Sequence, residues 1–315
     1  MKNANSLLVG ILAGAASALM LFAAHRSGLG AVVLLAFAPV AIYIAAMGWG
    51  TLAGIAGALA ASAAVLMFSS PASAAAAAAL IFAPAAWVGH LSNLGQPGSD
   101  GKTMVWYPLS GILFRLMLAT FAAFILTGYL AGYGEDSVVP AFVALMQEFS
   151  SANPSVPVPP EADMIDRARF YTKIIPVVVP ATWLLINVLM AHLSSSIVRR
   201  SGLMARPRDD IAASLTLPLE AVGFLVAGLI GMMILPPAGR LASGVALGVG
   251  IAGFGVVGLA ELHLRTRGRD ARGFMLFATY ALIVMFSVPF LLFTVTGLWR
   301  TVTRNRPPAN NGGTA

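Results

Sequence analysis

The chain contains no cysteine. Disulfides, thiol nucleophiles, Cys-ligated zinc and Cys-ligated iron–sulfur clusters are excluded with it. Charge is also scarce, because Asp, Glu, Lys and Arg make up 10% of the 315 residues, against about 25% in a soluble domain. A water-soluble globule of this length needs more polar surface, whereas lipid tails solvate apolar side chains directly. No Walker A, HExxH or GxSxG pattern occurs, and no carboxylate pair falls within an apolar run. The sequence therefore carries no catalytic motif, no metal signature and no cofactor signature, and the expectation is that the protein is not an enzyme.

What is present is hydrophobic: 58% of residues are apolar and the mean hydropathy is +0.85. A bilayer core of about 30 Å takes about 20 apolar residues per helix. Runs of that length fall at 6–24, 29–47, 51–69, 72–91, 105–130, 171–198, 215–235, 241–260 and 274–298. The expected fold is thus an all-α, polytopic transmembrane helix bundle with about eight or nine spans. The weakest run is 72–91, which is mostly alanine and is interrupted by Pro84. The first run follows a single lysine, Lys2, and leads straight into a second, so it is expected to be an uncleaved first helix rather than a signal peptide. The transmembrane domain is expected over 1–300, with a disordered tail over 301–315.

Short links at Gly48–Trp49–Gly50, Ser70–Pro71 and Pro236–Pro237 force antiparallel neighbours. Residues 92–103 read as a Gly-rich loop. The 131–170 segment is long and acidic, with a Pro-rich patch at 154–160 that reads as extended. Within it, Val138, Phe142, Leu145 and Phe149 recur near helical spacing, which predicts a short amphipathic surface helix.

Arginines cluster after the sixth run (Arg199, Arg200, Arg206, Arg208) and after the eighth (Arg265, Arg267, Arg269, Arg272). The positive-inside rule places both in the cytoplasm and the acidic 131–170 loop outside. Nine spans would strand Arg300, Arg304 and Arg306 outside, against that rule. Late charges are weaker determinants, so the nine-span expectation stands; a re-entrant last segment kinked at Pro289 is the alternative that would resolve the conflict. The net charge of +7 fits retention and contact with anionic lipid better than nucleic acid, since no basic, aromatic-interleaved domain exists.

Glycines four apart, Gly10 with Gly14, Gly50 with Gly54 and Gly244 with Gly248, allow helices to approach closely where lipid supplies little hydrophobic drive. Three residues are ligand-binding candidates. Arg115 lies mid-run, roughly 15 Å from an expected helix start at Val105, where an unpaired guanidinium is costly. Either it faces an anion or carboxylate, or it is structural, satisfying backbone carbonyls or, with a shifted helix start, snorkelling to the headgroups. Glu220, the one acid inside the runs, either pairs with Arg115 or relays protons, or sits at the headgroup level beside a helix start, where the dipole favours an anion. Asn187 reads as an interhelical hydrogen-bonder. Trp87 and Trp106 read as interfacial anchors and His90 as weak evidence for a ligand.

The segments APVAIYIAAMGWGTLAGIAGALAA (38–61), NVLMAHLSSSIVRRSG (187–202) and LTLPLEAVGF (215–224) resemble the YybS-like family of bacterial membrane proteins, which has no assigned function. The glycine-bearing hairpin is also similar, more distantly, to the S components of energy-coupling-factor transporters and to the shape-determining protein MreD. These resemblances imply a six-helix core, a multi-pass setting in the bacterial inner (plasma) membrane and no catalytic residue. Two functions follow as expectations. One is binding or transport of a small-molecule solute. The other is a non-catalytic scaffold or regulator that recruits protein partners through the arginine-rich loops.

Overall fold

The computed structural model describes residues 2–305 apart from 27, 154 and 156–158. The chain is helical almost throughout. Helices α1 (Lys2–Ala24), α2 (Ala31–Phe37), α3 (Val40–Trp49), α4 (Thr51–Phe68), α5 (Pro71–Ala77) and α6 (Ala83–Ser92) come first, with a π-helical turn at Ala78–Phe82 between the last two. A small antiparallel hairpin, β1 (Gly95–Pro97) and β2 (Met104–Trp106), precedes α7 (Leu109–Leu130) and α8 (Glu135–Ala152). There follow α9 (Glu161–Arg200), α10 (Ile211–Ser214), α11 (Glu220–Ile234), α12 (Pro237–Arg265), α13 (Arg272–Phe286) and α14 (Phe290–Arg304).

Among the described residues, seven helical segments are long and apolar enough to cross a membrane, or up to eight if the bent pair α13–α14 counts as one. The alanine-rich run is among them, continuous over Pro71–Ser92. Four expectations need correction. The Gly-rich loop is a hairpin, closed where Asp100 accepts the N–H groups of Lys102 and Thr103. The fifth span starts at Leu109 because Pro108 is extended and cannot continue a helix backwards. The seventh run shortens to 15 residues, with Pro218 ahead of α11. The last run is two helices whose axes differ in direction by 118°. The surface helix in the acidic loop is present and longer than its apolar repeat, and most of the Pro-rich patch lies outside the described residues.

Contacts sort the loops to two ends. Ser6 Oγ donates to Trp49 O at 3.2 Å, and Asn93 Nδ2 donates to Ala46 O at 2.9 Å. Arg206 Nη1 donates to Tyr107 O at 2.8 Å. The first turn of α1, the 49–50 link, the β-hairpin and the Arg199–Arg208 segment therefore share one end. The rings of Phe22 and Phe68 meet at 6.0 Å near the other.

Close approach of backbones holds the bundle together. A Cβ added at Gly10 or Gly14 would run into the α4 backbone at Ala53 and Gly57. One added at Gly248 would strike Val177 O of α9. Gly258 and Gly297 form a reciprocal seam: each would collide with backbone of the other's helix, at Phe293 and Phe254 respectively. Gly50 is different, because it makes the α3–α4 turn at φ 90° and needs no neighbour.

Prolines free carbonyls in these helices, and side chains take up two of them. Pro84 has no N–H to give to Leu80 O, and the Trp183 indole N–H donates there instead at 3.0 Å. Pro176 likewise frees Thr172 O, which accepts the Tyr133 hydroxyl at 3.0 Å. Both bonds join segments distant in sequence, so each interruption becomes a tertiary contact.

Candidate functional site

The three candidates from the sequence do not converge. Since α7 begins at Leu109, Arg115 lies six residues inside, about 9 Å along the axis rather than the roughly 15 Å expected. It is half-buried, and its guanidinium stacks on the Tyr107 ring at 4.9 Å from the centroid. The cation–π contact gives it a partner that is not a carboxylate. Glu220 is exposed in the first turn of α11 and forms no ion pair among the described residues. Asn187 is 1% exposed in the bundle centre, where it accepts the Tyr43 hydroxyl at 3.1 Å and donates to Trp183 O at 3.0 Å. No hydrogen bond or ion pair joins any two of these three. His90 bonds Thr51 Oγ1 at 2.7 Å and Trp87 is partly exposed on α6.

The polar chemistry gathers instead at the arginine-rich end. Arg206 is 3% exposed. It grips Asp209 with two N–H groups at 2.7 and 3.0 Å, and its third bond holds Tyr107 O. Arg199 Nη1 donates to Arg206 O at 2.7 Å, tying the end of α9 to the same segment. Asp210 caps α10 through Ala213 N and receives two N–H groups from Arg267. The Arg267 hydrogen bonds hold its carboxyl down at about 2, and the guanidinium beside it is raised in return.

Arg300 completes the arrangement. Its side chain is 4% exposed and donates to Glu261 Oε2 at 3.0 Å and to Ala212 O and Ala213 O at 2.8 and 2.9 Å. Glu261 also accepts from Arg265 at 2.6 Å. Arg304 Nη1 and Asn305 Nδ2 bond Ala213 O and Leu217 O at 2.6 and 3.1 Å. The end of α14 thus sits beside α10 and the end of α12. Helix α14 carries through Arg304, four residues into the segment expected as tail, and 306–315 lie outside the described residues.

The sequence held partial signals for this cluster. Arg206 with Asp209, and Glu261 with Arg265, stand at the three- and four-residue spacings of helical or turn pairs. Nothing local links Arg300 to Glu261 across 39 positions. Chemically, the cluster is a braced platform of fixed guanidinium groups. Arg265 and Arg267 keep 68% and 44% of their side chains exposed, so cationic surface remains after the internal bonds are made.

Two grooves lie elsewhere. One of about 440 Å³ runs between the α5–α6 segment and α7, lined by Ala79, Ala83, Pro84, Trp87, Ala122 and Leu126. The other, about 370 Å³, lies under α8 at Tyr133, Val138, Phe142 and Leu145. Both are almost wholly apolar, and neither includes Arg115. No protein-family model, curated protein or solved structure matches the chain.

Proposed function

We propose that this chain is a non-catalytic membrane scaffold or regulator that recruits acidic protein partners through its arginine-braced face. The carrying observation is that Arg206, Arg267 and Arg300 spend their hydrogen bonds fixing the 206–214 segment, while Arg265 and its neighbours stay exposed. Fixed cationic geometry costs less ordering entropy on binding than free loops would. In this reading the platform is cytoplasmic by the positive-inside rule and the acidic α8–α9 region is outside. The chain makes eight crossings, α11 included, followed by a re-entrant α13–α14 hairpin. The setting is a bacterial inner membrane, and the likeness to the YybS-like family belongs to the same proposal. The test is salt-dependent co-purification with a defined acidic partner domain. Charge reversal at exposed Arg208 and Arg269 should abolish capture without lowering thermal stability. Unchanged capture would defeat the reading.

A second reading, solute binding, keeps one support: the groove beside the π-turn, since such turns recur at functional sites. Its lining suits a hydrophobic chain rather than an anion, so the solute would be lipid-like. Mass spectrometry of compounds retained by the purified protein tests this, and a stoichiometric apolar metabolite would favour it over the scaffold.

A further inference from the structure

The α13–α14 hairpin breaks in an unusual place. Helices α12 and α14 run side by side in the same direction, with Thr294 bonded to Ile251 O and Arg300 to Glu261. Phe290 lies ten residues before Arg300, about 15 Å deeper along the axis. The break at Ser287–Pro289 is therefore near the middle of a 30 Å hydrocarbon core. There the backbone loses its ladder. Val288 gives its N–H to Phe286 O instead of to Val284 O, and Pro289 has no N–H for Met285 O. Ser287 holds φ 56°, a conformation that a side chain adopts at a cost. The carbonyls freed by Pro84 and Pro176 are taken by Trp183 and Tyr133. Those of Val284 and Met285 meet no such side chain among the described residues, and Val284, Met285 and Val288 are 83%, 73% and 70% exposed.

Lipid tails offer nothing to a carbonyl, and irregular backbone at this depth persists only where protein or water covers it. The cover must bring a hydrogen-bond donor at the same depth on a surface otherwise compatible with lipid. This chain presents such a surface. His192 is exposed on α9, and no hydrogen bond to its imidazole occurs among the described residues. It lies eight residues before Arg200, about 12 Å above the arginine-rich end. Depths of about 12 and 15 Å agree within a helical turn. An imidazole facing lipid and unpaired carbonyls facing lipid are each costly alone and complementary together.

We propose that the protein self-associates in the membrane, with the His192 face of α9 in one copy covering the Ser287–Pro289 break of a second copy. The surrounding side chains, Phe277, Val284 and Met285 on one surface and Leu189 on the other, are exposed and apolar. The absence of native cysteine makes the test direct. Two differently tagged full-length chains, His192→Cys in one and Val288→Cys in the other, are co-expressed and oxidised in native membranes. A mixed disulfide dimer should form, well above the yield for Leu229→Cys, an exposed position on α11, paired with Val288→Cys. In nanodiscs, His192→Leu should weaken the dimer roughly threefold per contact, the effect of losing an average intramembrane hydrogen bond. Cross-linking no better than the Leu229 control, or a wholly monomeric parent in nanodiscs, would overturn the proposal.

Discussion

Arg300→Met tests whether α14 is anchored at the arginine-rich end. Methionine keeps the apolar stem and removes three hydrogen bonds: one to Glu261 and two to the carbonyls of Ala212 and Ala213. Glu261 would keep Arg265 at 2.6 Å, so it is not left unpaired. The loss falls mainly on Ala212 and Ala213, which then depend on Arg304 and water. Hydrogen bonds to a charged group contribute about 1.5–3 kcal/mol each. Breaking a buried pair costs about 3–5 kcal/mol. With Glu261 partly hydrated, the lower end applies, about 3 kcal/mol. Glu261→Gln should cost less, about 1 kcal/mol, because a neutral acceptor remains for Arg300. The assay is thermal unfolding in detergent at fixed scan rate, since membrane-protein unfolding is often irreversible. At about 2–4 °C per kcal/mol, Arg300→Met should lower the midpoint by about 6–12 °C. Arg300→Met as stable as the parent, or Glu261→Gln the more damaging of the two, would refute the anchoring scheme.

Four further outcomes are expected. Single cysteines at Ser201 and Asn305 should label from the same side of the membrane and Ser151 from the other; labelling of Asn305 with Ser151 would mean that α13–α14 crosses. Tyr43→Phe leaves Asn187 Oδ1 without its donor in the bundle centre and should cost about 0.6–1.7 kcal/mol, read as a lowered unfolding midpoint that Tyr43→Phe/Asn187→Leu partly restores. Arg115→Lys should be nearly silent in stability and Arg115→Leu should cost about 0.5–2 kcal/mol, the range of a cation–π contact; a loss far above that would restore a buried ionic role. Asp210 has its carboxyl held near 2 by Arg267, below the unfolded value of about 3.9. Its contribution is therefore complete above the unfolded value and is lost as pH falls through the folded one. A carboxyl-carbon NMR titration should give a midpoint near 2 in the parent and nearer 4 in Arg267→Gln.

The helical bundle was legible because lipid enforces one rule on every span, and a run of apolar residues states it openly. Close packing at Gly10, Gly14 and Gly248 was equally open, since small residues four apart have few other uses in a membrane. The depth of Arg115 was not, because the four residues of strand and link ahead of α7, Val105 to Pro108, carry no charge to mark where the helix begins. The break at Pro289 was readable as a kink from proline alone. Its consequence, Arg300 meeting Glu261, depends on how two helices fold back in space. The Trp183 and Tyr133 bonds were hidden for a different reason: a proline announces which carbonyl it frees, but not which distant donor will reach it.

Helix α9 runs for 40 residues, about 60 Å, twice the thickness of the hydrocarbon core. Its outer turns carry α8, where Phe142 rests on Tyr171, and its last turn hands a hydrogen bond from Arg199 to Arg206. One continuous rod thus spans from the acidic surface to the cationic one, with Pro176 and Pro180 as its weak point in bending. Such a rod behaves as a lever with a flexure at its fulcrum. A load that tilts the outer arm must either bend the rod at the prolines or swing the arginines at its far tip.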